Sequence, residues 1–236
     1  MYTIFPSNDG IIRWRCATPT PLEKARNAPD SMKAKILLAA RRVFGTYGYH
    51  GATTRMIAKE VGIDISTLYY HWGEKSDLYE AVVFDIAEDL RLQLRKVEKV
   101  IHGKPLAQRL EISIEMMTDY LFDHPEISNL TFFRYFGKTR PEMDWIDRVP
   151  EFISDIARSM GITEPDGSVA TSSKMQIWAL TMAINNFVSG EELFQTLLNL
   201  KRDDYIPLAK ETLKFILIPA FAGCESASTQ AADTKK

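Results

Sequence analysis

The chain has little of what most catalytic and metal centres are made from. It holds two cysteines, Cys16 and Cys224, near opposite ends. Such a pair makes neither a disulfide framework nor a metal cluster, and it fits a reducing compartment. The four histidines, His50, His71, His102 and His124, are scattered rather than set at ligand spacing. There is no glycine-rich phosphate loop and no serine elbow, so the residues give no support to an enzyme, and no cofactor is expected. No stretch reaches the roughly 18 consecutive apolar residues of a membrane span. Residues 1–30 contain Pro6, Pro19, Pro21 and Pro29, with Asp9 and Glu23 but no continuous apolar segment, so they are not read as a secretion signal. Neither an internal repeat nor an alternating strand pattern is found.

What is present is a chain of 236 residues, 45% hydrophobic and with four tryptophans, enough for one or two cored domains. Its net charge of −2 is unevenly spread. Residues 31–79 carry seven Lys/Arg against four Asp/Glu, residues 80–236 carry 18 against 24, and residues 1–30 carry four against three. One basic segment in a nearly neutral chain points to a polyanion partner for that segment alone, although so small a surplus is also ordinary.

Apolar residues recur at three to four along the chain, so the fold is expected to be all-α. Residues 1–30 read as a flexible extension, in which Arg13, Trp14 and Arg15 form either a basic arm or part of an unstructured tail. Residues 31–79 read as a three-helix head. Its first helix is capped by Asp30 or Ser31, buries Ile36, Leu37, Ala40, Val43, Phe44 and Tyr47, and ends at Gly48. A long helix over 75–102 joins this head to a second helical domain over 80–222. There, residues 170–200 are expected to form one helix and Asp203 to Ala222 the last, starting near Pro207. Residues 223–236, small and polar, read as disordered.

Within the head, T-T-R-M-I-A-K-E-V-G-I-D-I-S-T-L-Y-Y-H-W-G-E-K over 53–75 reads as a helix-turn-helix. Thr53 or Thr54 caps a helix that buries Met56, Ile57, Ala58 and Val61. Gly62 ends it, because glycine alone takes a left-handed backbone without strain. Asp64 is expected to cap a second short helix with Leu68 and Trp72 inward and Ser66, Thr67, Tyr70 and His71 around the rest. An α-helix carrying polar side chains outward fits the major groove of duplex DNA.

Residues 36–78 resemble the DNA-binding head of the TetR (tetracycline repressor) family. The likeness lies in Phe44 with Gly48-Tyr49, in Thr53-Thr54, Ile57-Ala58 and Val61-Gly62, in Thr67-Leu68-Tyr69-Tyr70-His71, and in Lys75 and Leu78. It implies a bacterial or archaeal regulator located in the cytoplasm at the nucleoid. Such a protein is most often a dimeric repressor of a palindromic operator, released when a small molecule binds its C-terminal domain. Carried over by position, Thr53 and Thr54 contact phosphate and Arg55 a base or phosphate. Ser66 and Thr67 face bases or phosphates. Tyr69, Tyr70 and His71 meet the backbone, Tyr70 also a base, and Lys75 a phosphate. Tyr69 equally suits a bracing role, and His71 a structural one. Two residues depart from the family pattern. Ile65 is apolar where a polar residue is common, and packs either on a thymine methyl or on a neighbouring side chain. Glu74 replaces the usual small polar cap before Lys75.

In the second domain the last two helices are expected to form a homodimer seam through Phe194, Leu197, Leu198, Leu208, Leu213, Ile216 and Leu217, as the resemblance implies. The expected effector site comprises Met117, Tyr120, Phe133, Phe136, Trp145, Trp178, Met182, Asn185 and Asn186. Its soft, aromatic composition suits an apolar or aromatic ligand, and plain core packing explains any one of these residues as well. Asn185 and Asn186 are amides in an apolar helix and need partners there. Arg134 is open to an acidic ligand group, Glu115 or Asp119. The alternative for the whole chain is an architectural or cell-cycle DNA-binding protein whose second half binds a protein.

Overall fold

A computed structural model describes residues 3–6, 12–15, 20–136 and 149–233. The chain divides into two compact units, residues 1–88 and 89–236. The boundary falls inside a long helix and not at the 79/80 position expected from the sequence, because the first turns of that helix bury Leu78, Tyr79, Val82 and Ile86.

The first unit opens with two short strands, β1 (Thr3–Pro6) and β2 (Ile12–Arg15), paired antiparallel with Thr3 opposite Arg15. This pair departs from the purely helical expectation. The expected groove contact of Arg13, Trp14 and Arg15 concerns side chains outside the described residues. Helix α1 (Pro21–Asn27) is a second departure from a flexible extension. Thr20 and Glu23 form a reciprocal capping box, and Pro21 starts the helix, where its missing N–H costs nothing. Ala25 is buried, and Arg26 pairs with the buried carboxylate of Asp85, which also accepts from Arg41 at 2.7 Å.

Helix α2 (Met32–Gly51) is capped by Ser31, whose oxygen accepts from the Ala34 amide at 3.2 Å, and it bends at Gly48. Ile36, Ala40 and Phe44 are its fully buried stripe. Against it lie α3 (Thr54–Val61) and α4 (Ile65–Trp72), with Ile57, Ala58 and Leu68 completing the core. Helix α5 (Lys75–Ile101) follows.

The second unit contains the end of α5 together with α6 (Leu106–Asp123), α7 (Pro125–Phe136), α8 (Val149–Ser159), α9 (Thr171–Ser189), α10 (Glu191–Leu198) and α11 (Arg202–Asp233). One core cluster joins Val97, Ile101, Leu110, Ile153, Met160 and Ile177. The helix expected over 170–200 is broken at Gly190. A Cβ there would lie 2.8 Å from the Phe194 ring, so glycine permits the close turn into α10. The last helix begins at Arg202 rather than near Pro207, and its backbone stays helical to Asp233, past Pro219 and through the expected disordered tail. Proline removes one donor, and the small helix-forming residues beyond it keep the remaining ladder.

Candidate nucleic-acid interface

The turn between α3 and α4 is set by local chemistry. Thr53 accepts from the Met56 amide at 3.2 Å and caps α3. Gly62 sits at φ 77°, ψ 37°, and its N–H reaches the carbonyls of Ala58 and Lys59. Ile63 N–H also bonds the Ala58 carbonyl, at 3.0 Å, so the free end of α3 is satisfied. Asp64 occupies the cap position of α4, but its side chain makes no capping bond, contrary to the sequence reading. Its carboxylate stays exposed at the start of the helix, where it still favours the positive end of the helix dipole.

Helix α4 is anchored on one side and bare on the other. Leu68 and Trp72 are buried, while Ser66 is exposed, Ile65, Thr67 and His71 are half-buried, and Tyr69 is exposed. Tyr70, a large aromatic on the bare side of this helix, is 86% exposed. Its ring meets His71 edge-on at 5.2 Å. On α3, Thr53 and Arg55 are exposed and Thr54 half-buried. The structure thus brings the ten positions named from the sequence onto α3, α4 and the start of α5.

Lys75 is half-buried, with its ammonium 4.5 Å from the centroid of the Tyr49 ring. Burial holds its pKa below the ordinary lysine value. Tyr49 rests in turn on Tyr79 at 4.8 Å. Glu74 is not left as an uncapped intrusion: Asp77 Oδ2 accepts from the Glu74 amide at 2.8 Å. Gly73 precedes it at φ 75°, and a Cβ there would lie 2.6 Å from that carboxylate. The Asp77 cap, three residues beyond Glu74, was legible as a capping spacing.

One residue that sequence reasoning missed holds the far end of α4. Lys33 on α2 donates its ammonium to the His71 carbonyl and stands 5.0 Å from the Trp72 ring centroid. Trp72 Nε1 donates to the Lys33 carbonyl at 3.1 Å, closing the clamp in both directions. Burial, then the charge of Lys24, hold the Lys33 pKa below its ordinary value. A cation at a helix C-terminus also complements the dipole. Nearby, Arg42 pairs with Glu60 at 2.5 Å and ties α2 to α3.

The described residues among those expected to bind an effector lie in differing surroundings. Met117 and Trp178 lie partly buried against the core cluster of the second unit. Tyr120 rests on His124 with ring centroids 4.7 Å apart, and Met182 is half-buried. Phe133 and Phe136 are exposed, as is Asn186, so of the two amides only Asn185 needs a buried partner. Trp145 lies outside the described residues. Glu115 pairs with Lys210 and Lys214, and Asp119 with Lys210. Of the expected seam, Leu213 and Leu217 are buried in their own chain and Phe194 packs on Phe187 and Tyr205. Tyr205, Ala209, Leu213, Leu217 and Phe221 recur every four residues and form the inward face of α11. Leu197, Leu198, Leu208 and Ile216 remain exposed.

Fold and local geometry together define a helix-turn-helix head followed by a helical second unit. Residues 36–82 match the family model described as bacterial regulatory proteins, tetR family. The repressor AcnR of Corynebacterium glutamicum is 29% identical over 111 residues, 42% of this chain and 57% of AcnR. The activator FasR of Mycolicibacterium smegmatis is 30% identical over 92 residues, 39% of this chain and 41% of FasR. The chain therefore spans about half the length of the curated relatives it matches. A crystal structure of a transcriptional regulator from Rhodococcus sp. Rha1 matches the fold at a TM-score of 0.56 and 16% identity, covering 80% of this chain and 97% of that one. FadR from Bacillus subtilis, solved in complex with stearoyl-CoA, matches at 0.51 and 18%, covering 78% and 97%. The likeness to the tetR family in sequence lies in the head, residues 36–82.

Proposed function

We propose that the protein acts as a homodimeric repressor that binds a palindromic operator through α3 and α4 and releases it when an apolar small molecule enters the second unit. The observation that carries this reading is Tyr70, a large aromatic left 86% exposed on a helix whose opposite side is locked by Leu68, Trp72 and Lys33. An exposed tyrosine on a rigid helix has no folding role to explain it, and a groove or phosphate contact gives it one. Thr53, Thr54, Arg55, Ser66, Thr67, Tyr69, His71 and Lys75 surround it as phosphate and base contacts. Ile65, half-buried beside Leu68, meets a thymine methyl.

The second copy docks on the apolar face that α10 and α11 leave uncovered. Leu193, Leu197, Leu198, Leu208, Phe215 and Ile216 are between 47% and 81% exposed there, an arrangement that favours a self-associating face over a solvated one. Two copies place two recognition helices on half-sites about one DNA turn apart. FadR's stearoyl-CoA complex supports an apolar ligand in the same fold. The test selects binding sequences from a random duplex library and measures the mass of the complex. Enrichment of an inverted repeat bound by an even number of chains is expected; a lone half-site bound by one chain would overturn the dimeric reading.

A further inference from the structure

Resting on the DNA-binding reading, we propose that α1 is a strap that sets the first turns of α5 against α2, and that Arg26 and Asp85 are positioning residues for the operator contact of Lys75. Both residues lie outside the stretch 36–82 that matches the family model. Arg26 stands on α1, Asp85 on α5, and Arg41, the third member, on α2. Asp85 is 5% exposed; Arg26 Nη1 donates to its Oδ1, and Arg41 Nη1 donates to its Oδ2 at 2.7 Å. The same Arg26 nitrogen donates to the Asp85 backbone carbonyl at 3.4 Å. One buried carboxylate therefore joins three helices.

A helix of seven residues has little stability of its own, and α1 is fixed along its length. The Thr20–Glu23 capping box starts it. Ala25 is 1% exposed, and Arg26 beside it carries the ion pair. The Ser31 amide then donates to the Ala28 carbonyl at 3.0 Å, which sets the step from α1 into α2.

The other end of the same stretch of α5 carries Lys75. Its ammonium lies 4.5 Å from the Tyr49 ring centroid, and Tyr79, one turn on, meets Tyr49 at 4.8 Å and Phe44 at 5.0 Å. Helices α2 and α5 are thus pinned at two points, Tyr49 and Phe44 on Lys75 and Tyr79, then Arg41 on Asp85, in opposite order along the two chains. Leu78, Val82 and Asp85 follow one another at helical spacing on the buried stripe between those points. From Lys75 to Asp85 the helix is a rigid lever of about 15 Å. Removing the Arg26 side chain takes from Oδ1 the donor that α1 supplies. A buried carboxylate oxygen short of a donor is costly, so Asp85 rolls toward solvent and the lever carries Lys75 off its phosphate.

The test is a double-substitution cycle in the full chain: Arg26→Met, Lys75→Ala and the two together, with Arg26→Lys as the conservative variant. Affinity for the duplex enriched in the library selection is read by fluorescence anisotropy over a range of salt concentrations, beside the urea unfolding midpoint of each protein. Arg26→Met should lower affinity by about fivefold and bring the salt slope toward that of Lys75→Ala. In the Lys75→Ala background it should lower affinity by no more than about 1.5-fold, because the contact it positions is already gone. Arg26→Lys should recover most of the loss, since a cation stays beside Asp85. Asp85→Asn carries the same expectation in both backgrounds and keeps the cycle readable if Arg26→Met fails to fold. Equal losses in both backgrounds, with a lowered slope, would make Arg26 a phosphate contact itself and overturn the strap. A lowered unfolding midpoint with unchanged affinity would make the triad a support of the fold alone and overturn it too. Failure of the wild type to bind any selected duplex would remove the DNA-binding reading, whereas additive losses remove only the strap.

Discussion

Replacing Lys33 by Met separates a positioning cation from a phosphate-binding one. The Lys33 ammonium is bonded to the His71 carbonyl and faces Trp72 at 5.0 Å, both at the C-terminal end of the recognition helix. A hydrogen bond from a charged donor contributes roughly 1.5–3 kcal/mol, and an accessible cation–π contact about 0.5–1 kcal/mol. Partial burial of the ammonium, visible in its lowered pKa, offsets part of this. The net loss of stability should be about 1–2 kcal/mol, read from urea unfolding. Methionine keeps the apolar stem, and the Trp72 bond to the backbone carbonyl of residue 33 survives, so the head should fold. With α4 less firmly set, operator affinity should fall by about five- to tenfold. Its dependence on salt should not change, because this ammonium releases no counterion from DNA. Lys75→Ala is the comparator: its ammonium lies on the Tyr49 ring with protons free for a phosphate, and its loss should reduce the salt slope by about one. Fluorescence anisotropy over a range of salt concentrations measures both. A Lys33→Met slope reduced by about one unit would refute the reasoning and make Lys33 a phosphate contact.

Three further substitutions have defined outcomes. Gly62→Ala should cost about 1 kcal/mol in urea unfolding, for the left-handed backbone alone, because nothing lies within 4 Å of its added Cβ. Gly73→Ala should cost more, about 2–3 kcal/mol, since its Cβ would also strike the Asp77 carboxylate that caps α5; equal costs would show that this cap is not held. Tyr205 is pushed up to about 12 by burial and then by the charge of Glu191. An acid whose folded pKa is raised contributes stability that is complete below its unfolded value of 10.0 and is lost as the pH climbs toward about 12. Tyr205→Phe should therefore lower stability at neutral pH by about 1 kcal/mol and remove that part of the alkaline loss; parallel pH curves for the two proteins would contradict it.

The head was legible because its signals are local. Ser31, Thr53 and Gly62 each act on atoms within a few residues, so spacing alone reveals them. The Lys33–Trp72 clamp joins residues 39 apart, and no periodicity announces it. The capping box of Thr20 and Glu23 is equally local, and it starts α1 in a segment whose prolines suggest no helix. In the second unit the repeat of three to four gave helices without saying which face turns inward. Leu213 and Leu217 thus went to an expected seam when they serve the chain's own core. Likewise Asn185 and Asn186 are adjacent in sequence but a hundred degrees apart on the helix, and only the first is buried.

The central claim is that α4 reads DNA with an exposed face. It is tested most directly by operator binding of Tyr70→Ala at moderate salt. With Tyr70 86% exposed, the substitution should change stability by no more than about 0.5 kcal/mol. Specific affinity should drop by at least about tenfold, the loss of one good groove or phosphate contact, while the oligomeric state stays the same. Unchanged operator affinity in a folded Tyr70→Ala protein would contradict the placement of α4 in the groove.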